Sequence, residues 1–247
     1  LHSKMQSDLD LRMPSRNVNA WNSLRPPPYM PYLFHEIVYN EFAIDVCRRM
    51  LGEQATLTTY GANTSWPNQE AAQKVHRDVP NAEIIDACPA VVINIPMMEF
   101  TLENGATLIY PGSHTASVGQ ASGPGIYRKE MLTRRAAVVP PEQTTGIGPG
   151  DLVIRDLRLW HGGMPNYSAD RRIMLALVVI DAAYRHGDES GFKGFEAEEG
   201  TEEFWQHPRL KTSVSFVPAG DRSYYLHGHH STPKTALQQE HESRQSG

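Results

Sequence analysis

Apolar residues fall along this chain in short runs separated by glycine and proline, and most runs have the length of a β-strand. Residues 56–60 are β-branched and aromatic. Residues 91–100 form a longer apolar run interrupted at Pro96. Residues 106–110 are apolar and end on a Pro111-Gly112 turn. The cleanest strands are 152–155 and 173–180, the second nearly continuous in apolar side chains. The Gly and Pro clusters between runs fit an all-β core with long loops.

One stretch has a different period. From His35 to Met50 the pattern is helical, with Phe34, Ile37, Val38, Phe42, Val46 and Met50 near one face and Gly52 as the stop signal. The first 33 residues read as irregular, because Pro26-Pro27-Pro28 and Pro31 favour extended backbone. Trp21, Tyr29, Tyr32 and Phe34 predict that this arm packs on the body. Residues 117–125, rich in Gly and Ser, predict a mobile loop. The acidic stretch 196–205 predicts an outer helix, and the polar C-terminal residues predict disorder. No internal repeat or linker stands out. The expected organisation is a single domain over 1–247: a core over about 54–182, an N-terminal arm and helix over 1–53, and a C-terminal extension over 183–247.

Composition narrows the classes. The chain has 247 residues and is 40% hydrophobic, enough for one sizeable core. A net charge of −5 offers no basic field for nucleic acid or an anionic membrane. No apolar run approaches the roughly 18 residues of a membrane span. No charged-then-apolar leader opens the sequence, which begins at Leu1. Cys47 and Cys88 are the only cysteines, so neither a disulfide framework nor a four-sulfur zinc site is available. Reduced thiols fit a reducing compartment, and a cytoplasmic location is expected. A small-molecule substrate is the expected partner, and a homodimer is allowed.

The chemistry begins at Gln73-Lys74-Val75-His76-Arg77-Asp78. In extended backbone, residues i and i+2 point to the same side. His76 and Asp78 can therefore reach one metal ion while Arg77 points away. They supply two thirds of the 2-His-1-carboxylate triad that suits Fe(II) and leaves open coordination positions. Alone, a His-x-Asp pair is more often an ordinary surface pair. The missing histidine should come from a distant strand. His161 is the candidate: it follows the turn-and-strand pattern Asp151-Leu152-Val153-Ile154-Arg155-Asp156 and adjoins Trp160. Beyond it, Arg171-Arg172 open the long apolar strand. A guanidinium inside an apolar barrel must find an anion, and a carboxylate held bidentately is the natural one. The side chains of Arg171 and Arg172 should point to opposite faces, so only one of them enters the barrel.

Taken in order, His76-Arg77-Asp78, Glu103-Asn104-Gly105-Ala106, Pro111-Gly112-Ser113-His114, Gly150-Asp151-Leu152, Trp160-His161-Gly162-Gly163, Asn166-Tyr167-Ser168 and Arg172 resemble the phytanoyl-CoA dioxygenase-like branch of Fe(II)/2-oxoglutarate oxygenases. The resemblance covers about residues 70 to 180. It is most similar to microbial and fungal members of secondary metabolism. It implies a mainly β fold, a double-stranded β-helix (jelly-roll, cupin-like barrel) with flanking α-helices. It implies Fe(II) held by His76, Asp78 and His161, with O2 and 2-oxoglutarate consumed and succinate and CO2 released. It assigns Arg172 to the cosubstrate, about eleven residues after the second histidine, with Arg171 as close rival. By the same resemblance Gln73 and Thr107 contact the cosubstrate. Related halogenases lack the carboxylate that Asp78 supplies, so halogenation is disfavoured. The expected reaction is hydroxylation, desaturation or rearrangement at a C–H bond of a small, largely apolar metabolite. The competing readings are a catalytically silent jelly-roll partner and a cupin-like metal protein without 2-oxoglutarate.

The remaining chemistry-bearing residues have plainer readings. His114 caps a turn. Ser113 lacks the Gly-x-Ser-x-Gly elbow of a hydrolase nucleophile. The cluster His227-Gly228-His229-His230 reads as a solvated loop. Trp66, Tyr127, Phe192 and Trp205 read as packing residues that could also line a pocket.

Overall fold

The apolar run that opens at Arg172 becomes the central strand of the larger sheet. The computed structural model describes residues 1–12, 21–22, 24–79, 87–115, 127–181 and 193–220. The Gly/Ser loop at 117–125, Phe192, the His227–His229–His230 cluster and the polar tail lie outside the described residues. The elements in chain order are α1 (His2–Arg12), β1 (Trp21–Asn22), α2 (His35–Val38), α3 (Glu41–Leu51), β2 (Thr56–Ser65), β3 (Ala90–Pro96), β4 (Thr107–Ile109), α4 (Lys129–Val138), β5 (Glu142–Gln143), β6 (Val153–Asp156), β7 (His161–Gly163), β8 (Arg172–Ile180), β9 (Phe195–Glu198), β10 (Lys211–Thr212) and β11 (Val214–Val217).

The larger sheet has the order β1-β2-β8-β3-β6, with β10 added alongside β2. The smaller has the order β5-β4-β7. Two isolated bridges, Gln69 with Asn166 and His76 with His161, extend its edge along residues 69–76. β9 and β11 form a separate parallel pair.

The two faces of β8 explain the layers. Ile173 and Leu175 pack outward with Ala62, Met5 and Leu9 of α1. Leu177 and Val179 pack outward with Val91, Ile93 and the α3 residues Ala43, Ile44, Cys47 and Leu51. The alternate residues point inward: Met174 meets Phe100 and Ala106, while Val178 meets Val79, Val92 and Leu157. A strand buried on both faces must read as a continuous apolar run, and this one does. Two facing sheets around an apolar interior, with helices on the outside, make a mainly β jelly roll of the double-stranded β-helix kind.

Three sequence expectations need correction. Residues 2–12 are helical, not irregular. The prolines start at Pro14 and do not act on this segment, and Met5 and Leu9, both fully buried, are an i, i+4 anchor pair. The helical stretch from His35 is broken at Tyr39-Asn40. Asn40 caps a new helix by accepting a hydrogen bond from the Ala43 backbone N–H at 3.1 Å. That break resets the helical phase. The buried face of α3 is Ala43, Ile44, Cys47 and Leu51, whereas Phe42 is 67% exposed. The stop at Gly52 stands, with φ of +84°. Finally, residues 196–205 are not an outer helix. β9 buries Phe195 and Ala197 and turns Glu196 and Glu198 outward, a period of two. Trp205 follows in a turn and is buried against Tyr60 and Phe195.

The arm after α1 does pack on the body: Leu24 and Tyr29 are fully buried. Among the described residues no helix is long and apolar enough to cross a membrane.

Candidate metal centre

His76 and His161 face each other across the edge of the smaller sheet. Each backbone N–H donates to the other's carbonyl at 2.9 Å. Their ring centroids lie 4.3 Å apart. Gly162 permits this approach, because a Cβ there would stand 2.9 Å from the Gln73 carbonyl oxygen. Two residues beyond His76, the Asp78 backbone N–H donates to the Leu157 carbonyl at 3.0 Å, which turns its carboxylate back to the histidines. One ligand atom from each of His76, Asp78 and His161 lies within 4.8 Å of the others. Asp78 Oδ1 is 3.4 Å from His76 Nε2, and Oδ2 is 3.6 Å from His161 Nε2.

The histidine tautomers are set by the backbone. His76 Nδ1 donates to the Lys74 carbonyl at 2.8 Å, and His161 Nδ1 donates to the Leu159 carbonyl at 2.9 Å. With Nδ1 protonated, Nε2 of each neutral ring carries a lone pair directed toward the carboxylate. Burial, and then the nearby Arg155 guanidinium, pushes His161 down to about 3, so it stays neutral at physiological pH. Burial also acts to lower His76, but its bond to Asp78 outweighs that and raises it. Burial would raise Asp78; Arg155 and the histidines outweigh it and hold the carboxyl well below the usual carboxylate range. Two imidazole nitrogens and an ionised carboxylate are the donor set that suits Fe(II) with positions left open.

Arg155, on β6, is a site residue that the sequence reading passed over. Its Nη2 donates to Asp78 Oδ2 at 2.8 Å and its Nε to Asn94 Oδ1 at 3.3 Å. The available signal was an arginine within the short strand Val153–Asp156, where it pairs with Val92, a residue of the barrel interior. Arg171 and Arg172 separate as their alternation requires. Arg171 stays outside over the Trp66 ring, donating to Gln6 Oε1 at 3.1 Å and to Asp10. Arg172 turns inward, 1% exposed, with its guanidinium carbon 4.9 Å from the Phe100 ring centroid. Burial lowers it to about 10, so it remains a cation at neutral pH.

Gln73 and Thr107 both border Gly163. Gln73 Oε1 accepts from the Gly163 backbone N–H at 3.0 Å, and Thr107 pairs with Gly163 across β4 and β7. Ser113 is structural: its Oγ accepts from the Trp160 backbone N–H at 2.8 Å and anchors the strand that carries His161. Tyr127 stacks on Trp160 with centroids 3.8 Å apart. Trp66 and Trp205 are buried packing residues.

A jelly roll with two histidines and an aspartate converging on a partly buried edge defines a class of metal-dependent barrel. The comparison with known families is specific: the chain matches the family described as Phytanoyl-CoA dioxygenase (PhyH) over residues 15–174. The chain belongs to this family, whose members are Fe(II)/2-oxoglutarate oxygenases. It is 30% identical to dioxygenase af480 of Aspergillus fumigatus over 156 residues, 60% of this chain and 46% of that protein. The chain spans about half the length of the curated relatives it matches. In fold it is similar to EctD from S. alaskensis in its apoform, with a TM-score of 0.53 and 19% identity, covering 74% of this chain and 69% of that one. It is also similar to HygX from Streptomyces hygroscopicus with nickel and 2-oxoglutarate bound, with a TM-score of 0.50 and 14% identity, covering 73% and 78%.

Proposed function

We propose that this chain is a Fe(II)- and 2-oxoglutarate-dependent dioxygenase that oxidises a C–H bond of a small, largely apolar metabolite, in secondary-metabolite biosynthesis. The observation that carries the reading is the convergence of His76, Asp78 and His161 on one barrel edge, with a buried arginine on the facing strand. In this reading His76, Asp78 and His161 hold the iron. Arg172 holds the far carboxylate of 2-oxoglutarate as a fork. Gln73 and Thr107 flank the cosubstrate from the smaller sheet. When bound, the iron and the oxo acid supply the oxidising power: O2 is consumed, one oxygen atom goes to succinate as CO2 leaves, and the C–H bond is oxidised.

The protein's part is placement and exclusion. The backbone carbonyls of Lys74 and Leu159 each accept from Nδ1–H, so that Nε2 is the nitrogen each neutral ring turns to the metal. Arg155 holds one oxygen of Asp78 and leaves the other for coordination. Phe100, Ala106 and Met174 keep water from the interior beside Arg172. The metabolite then needs only to present one C–H bond at the open coordination face. Cys47 and Cys88 are free thiols, and with only two cysteines in the sequence the setting proposed for the chain is the reducing cytoplasm.

The test is an anaerobic optical titration with Fe(II) and then 2-oxoglutarate. The expected result is a weak visible charge-transfer band that is lost in His76→Ala. Iron binding without a band would remove 2-oxoglutarate and favour a cupin-like metal protein. Binding of neither would favour a silent partner subunit.

A further inference from the structure

α3 is apolar on two faces. One face, Ala43, Ile44, Cys47 and Leu51, is buried in the core with the larger sheet. The other carries Phe42, Val46 and Met50, four residues apart and therefore in one row along the helix. Phe42 is 67% exposed, Met50 39% exposed and Val46 half-buried. The sequence pattern marks this row as a core face, yet the fold turns it to solvent. A helix that is apolar on both sides is normally covered on both. Four of the seven large apolar side chains exposed among the described residues, Met30, Phe34, Phe42 and Met50, fall within residues 30–50. Exposure is thus concentrated in this segment, whereas apolar surface residues scattered singly would need no explanation.

Charge decides what fits there. Glu41, Asp45 and Arg49, again four residues apart, flank the apolar row. Arg209 binds both carboxylates, with Nη1 donating to Glu41 at 2.8 Å and Nη2 donating to Asp45, and His207 lies 3.2 Å from Glu41. Even so, the Glu41 and Asp45 side chains stay 62% and 52% exposed. Arg48 is taken by Glu53 and by the Arg209 carbonyl. The exposed Arg49 side chain has no ion pair or hydrogen bond to another described residue, although Asp45 stands one turn before it. The row therefore needs a partner that is apolar along its centre, with a cation for one end of the flank and carboxylates for the other. A second α3 has that pattern when laid antiparallel with a two-fold axis at Val46. Phe42 and Met50 are equally far from Val46, so each meets the other's counterpart. Arg49 of each copy comes between Glu41 and Asp45 of the other. The two Asp45 carboxylates also approach, each beside its own Arg209 and the other copy's Arg49. A parallel copy would set Arg49 against Arg49.

We propose that the outer row of α3 docks on the same row of a second copy of this chain, antiparallel about Val46, to form a two-fold homodimer. Three turns of helix make a small interface, so the dimer is a weak one that dissociates on dilution. The experiment is sedimentation velocity of the full chain from low micromolar to several hundred micromolar. The parent should show a reversible monomer–dimer equilibrium. Phe42→Glu and Arg49→Glu should each weaken it by about tenfold or more. Mixing the Arg49→Glu chain with a chain carrying Glu41→Lys and Asp45→Lys should restore pairing as a heterodimer. Diluted to monomer, each variant should keep the parent's melting temperature and Ni(II) affinity, which separates loss of pairing from loss of fold. Cysteines then read the register on mild oxidation, with the parent as blank. Val46→Cys should cross-link to itself. Phe42→Cys should not, because its two copies stand eight residues of rise, about 12 Å, apart. Phe42→Cys mixed with Met50→Cys should cross-link. A parent that stays monomeric throughout would overturn the proposal, whether another protein covers the row or none does. So would a dimer indifferent to Phe42→Glu and Arg49→Glu, or one in which Phe42→Cys cross-links to itself.

Discussion

The two sheets of the barrel are built on different terms. In the larger, β2 and β8 pair almost continuously from Thr56 with Ile180 to Ser65 with Arg172, and β8 is covered on both faces. In the smaller, β7 and β4 are three residues long and the segment bearing His76 joins by an isolated bridge. The larger sheet buries the apolar area that stabilises the fold, at roughly 25 cal/mol per Å². The smaller sheet has short strands, and along its edge stand the three side chains of the candidate centre. Metal ligands need side chains to converge, and a short, glycine-bearing strand allows that where a long regular ladder would hold them parallel. The bulk of the apolar packing and the His76–Asp78–His161 cluster thereby fall on different layers, with Arg155 and Arg172 reaching the centre from the larger sheet.

The sharpest way to break that division is at Asp78. Asp78→Asn keeps the shape and an oxygen for Arg155 but removes the charge a divalent ion needs. Affinity for Fe(II) or Ni(II), measured anaerobically by calorimetry, should fall by about 100-fold or more, beyond the 10–100-fold typical of groups that only support a ligand. The melting temperature of the metal-free protein should stay within about 4 °C of the parent, the shift expected for less than about 1 kcal/mol. A large drop in melting temperature would mean that the ligand cluster is part of the scaffold.

The opposite outcome is expected from Leu177→Ala. Leu177 is fully buried in the larger sheet against α3. Truncation should cost about 2–5 kcal/mol by urea denaturation, the usual range for a buried leucine whose cavity collapses only in part. Ni(II) affinity of the folded variant should remain within twofold. Tenfold weaker metal binding would show that the layers are coupled.

This division also governs what could be read in advance. The larger sheet announces itself in the runs at 91–96 and 173–180, because two-sided burial leaves an apolar trace. β2 extends five residues past the expected end at Tyr60, since Gly61 looks like punctuation yet sits within the ladder opposite Ala176. The grouping of His76, Asp78 and His161 was legible through their chemistry and order, not through any period, because strands of three residues carry none. The separation of Arg171 from Arg172 followed from alternation alone. What sequence could not carry was phase: the break at Tyr39-Asn40 turns α3 and exposes Phe42. Nor could it carry contact across the barrel. Arg155 and Asp78 meet only once β6 and the loop after His76 are folded together.

That contact gives the smallest and most discriminating test. Removing Arg155 altogether would change two things of opposite sign, since its charge repels an incoming cation while its Nη2 fixes the carboxylate. Arg155→Lys holds the charge and alters only geometry. A lysine ammonium is a single donor group on a flexible stem and cannot span Asn94 and Asp78 as the planar guanidinium does. Metal affinity should therefore fall by about tenfold through loss of carboxylate orientation, the lower end of the range for groups that support a ligand. The melting temperature should change little, and Asn94→Ala should give part of the same loss, because it frees the Nε end of the fork. An unchanged Kd in Arg155→Lys would mean that the larger sheet supplies the centre with charge alone, and that orientation of Asp78 is settled within the smaller sheet and the Leu157 backbone contact.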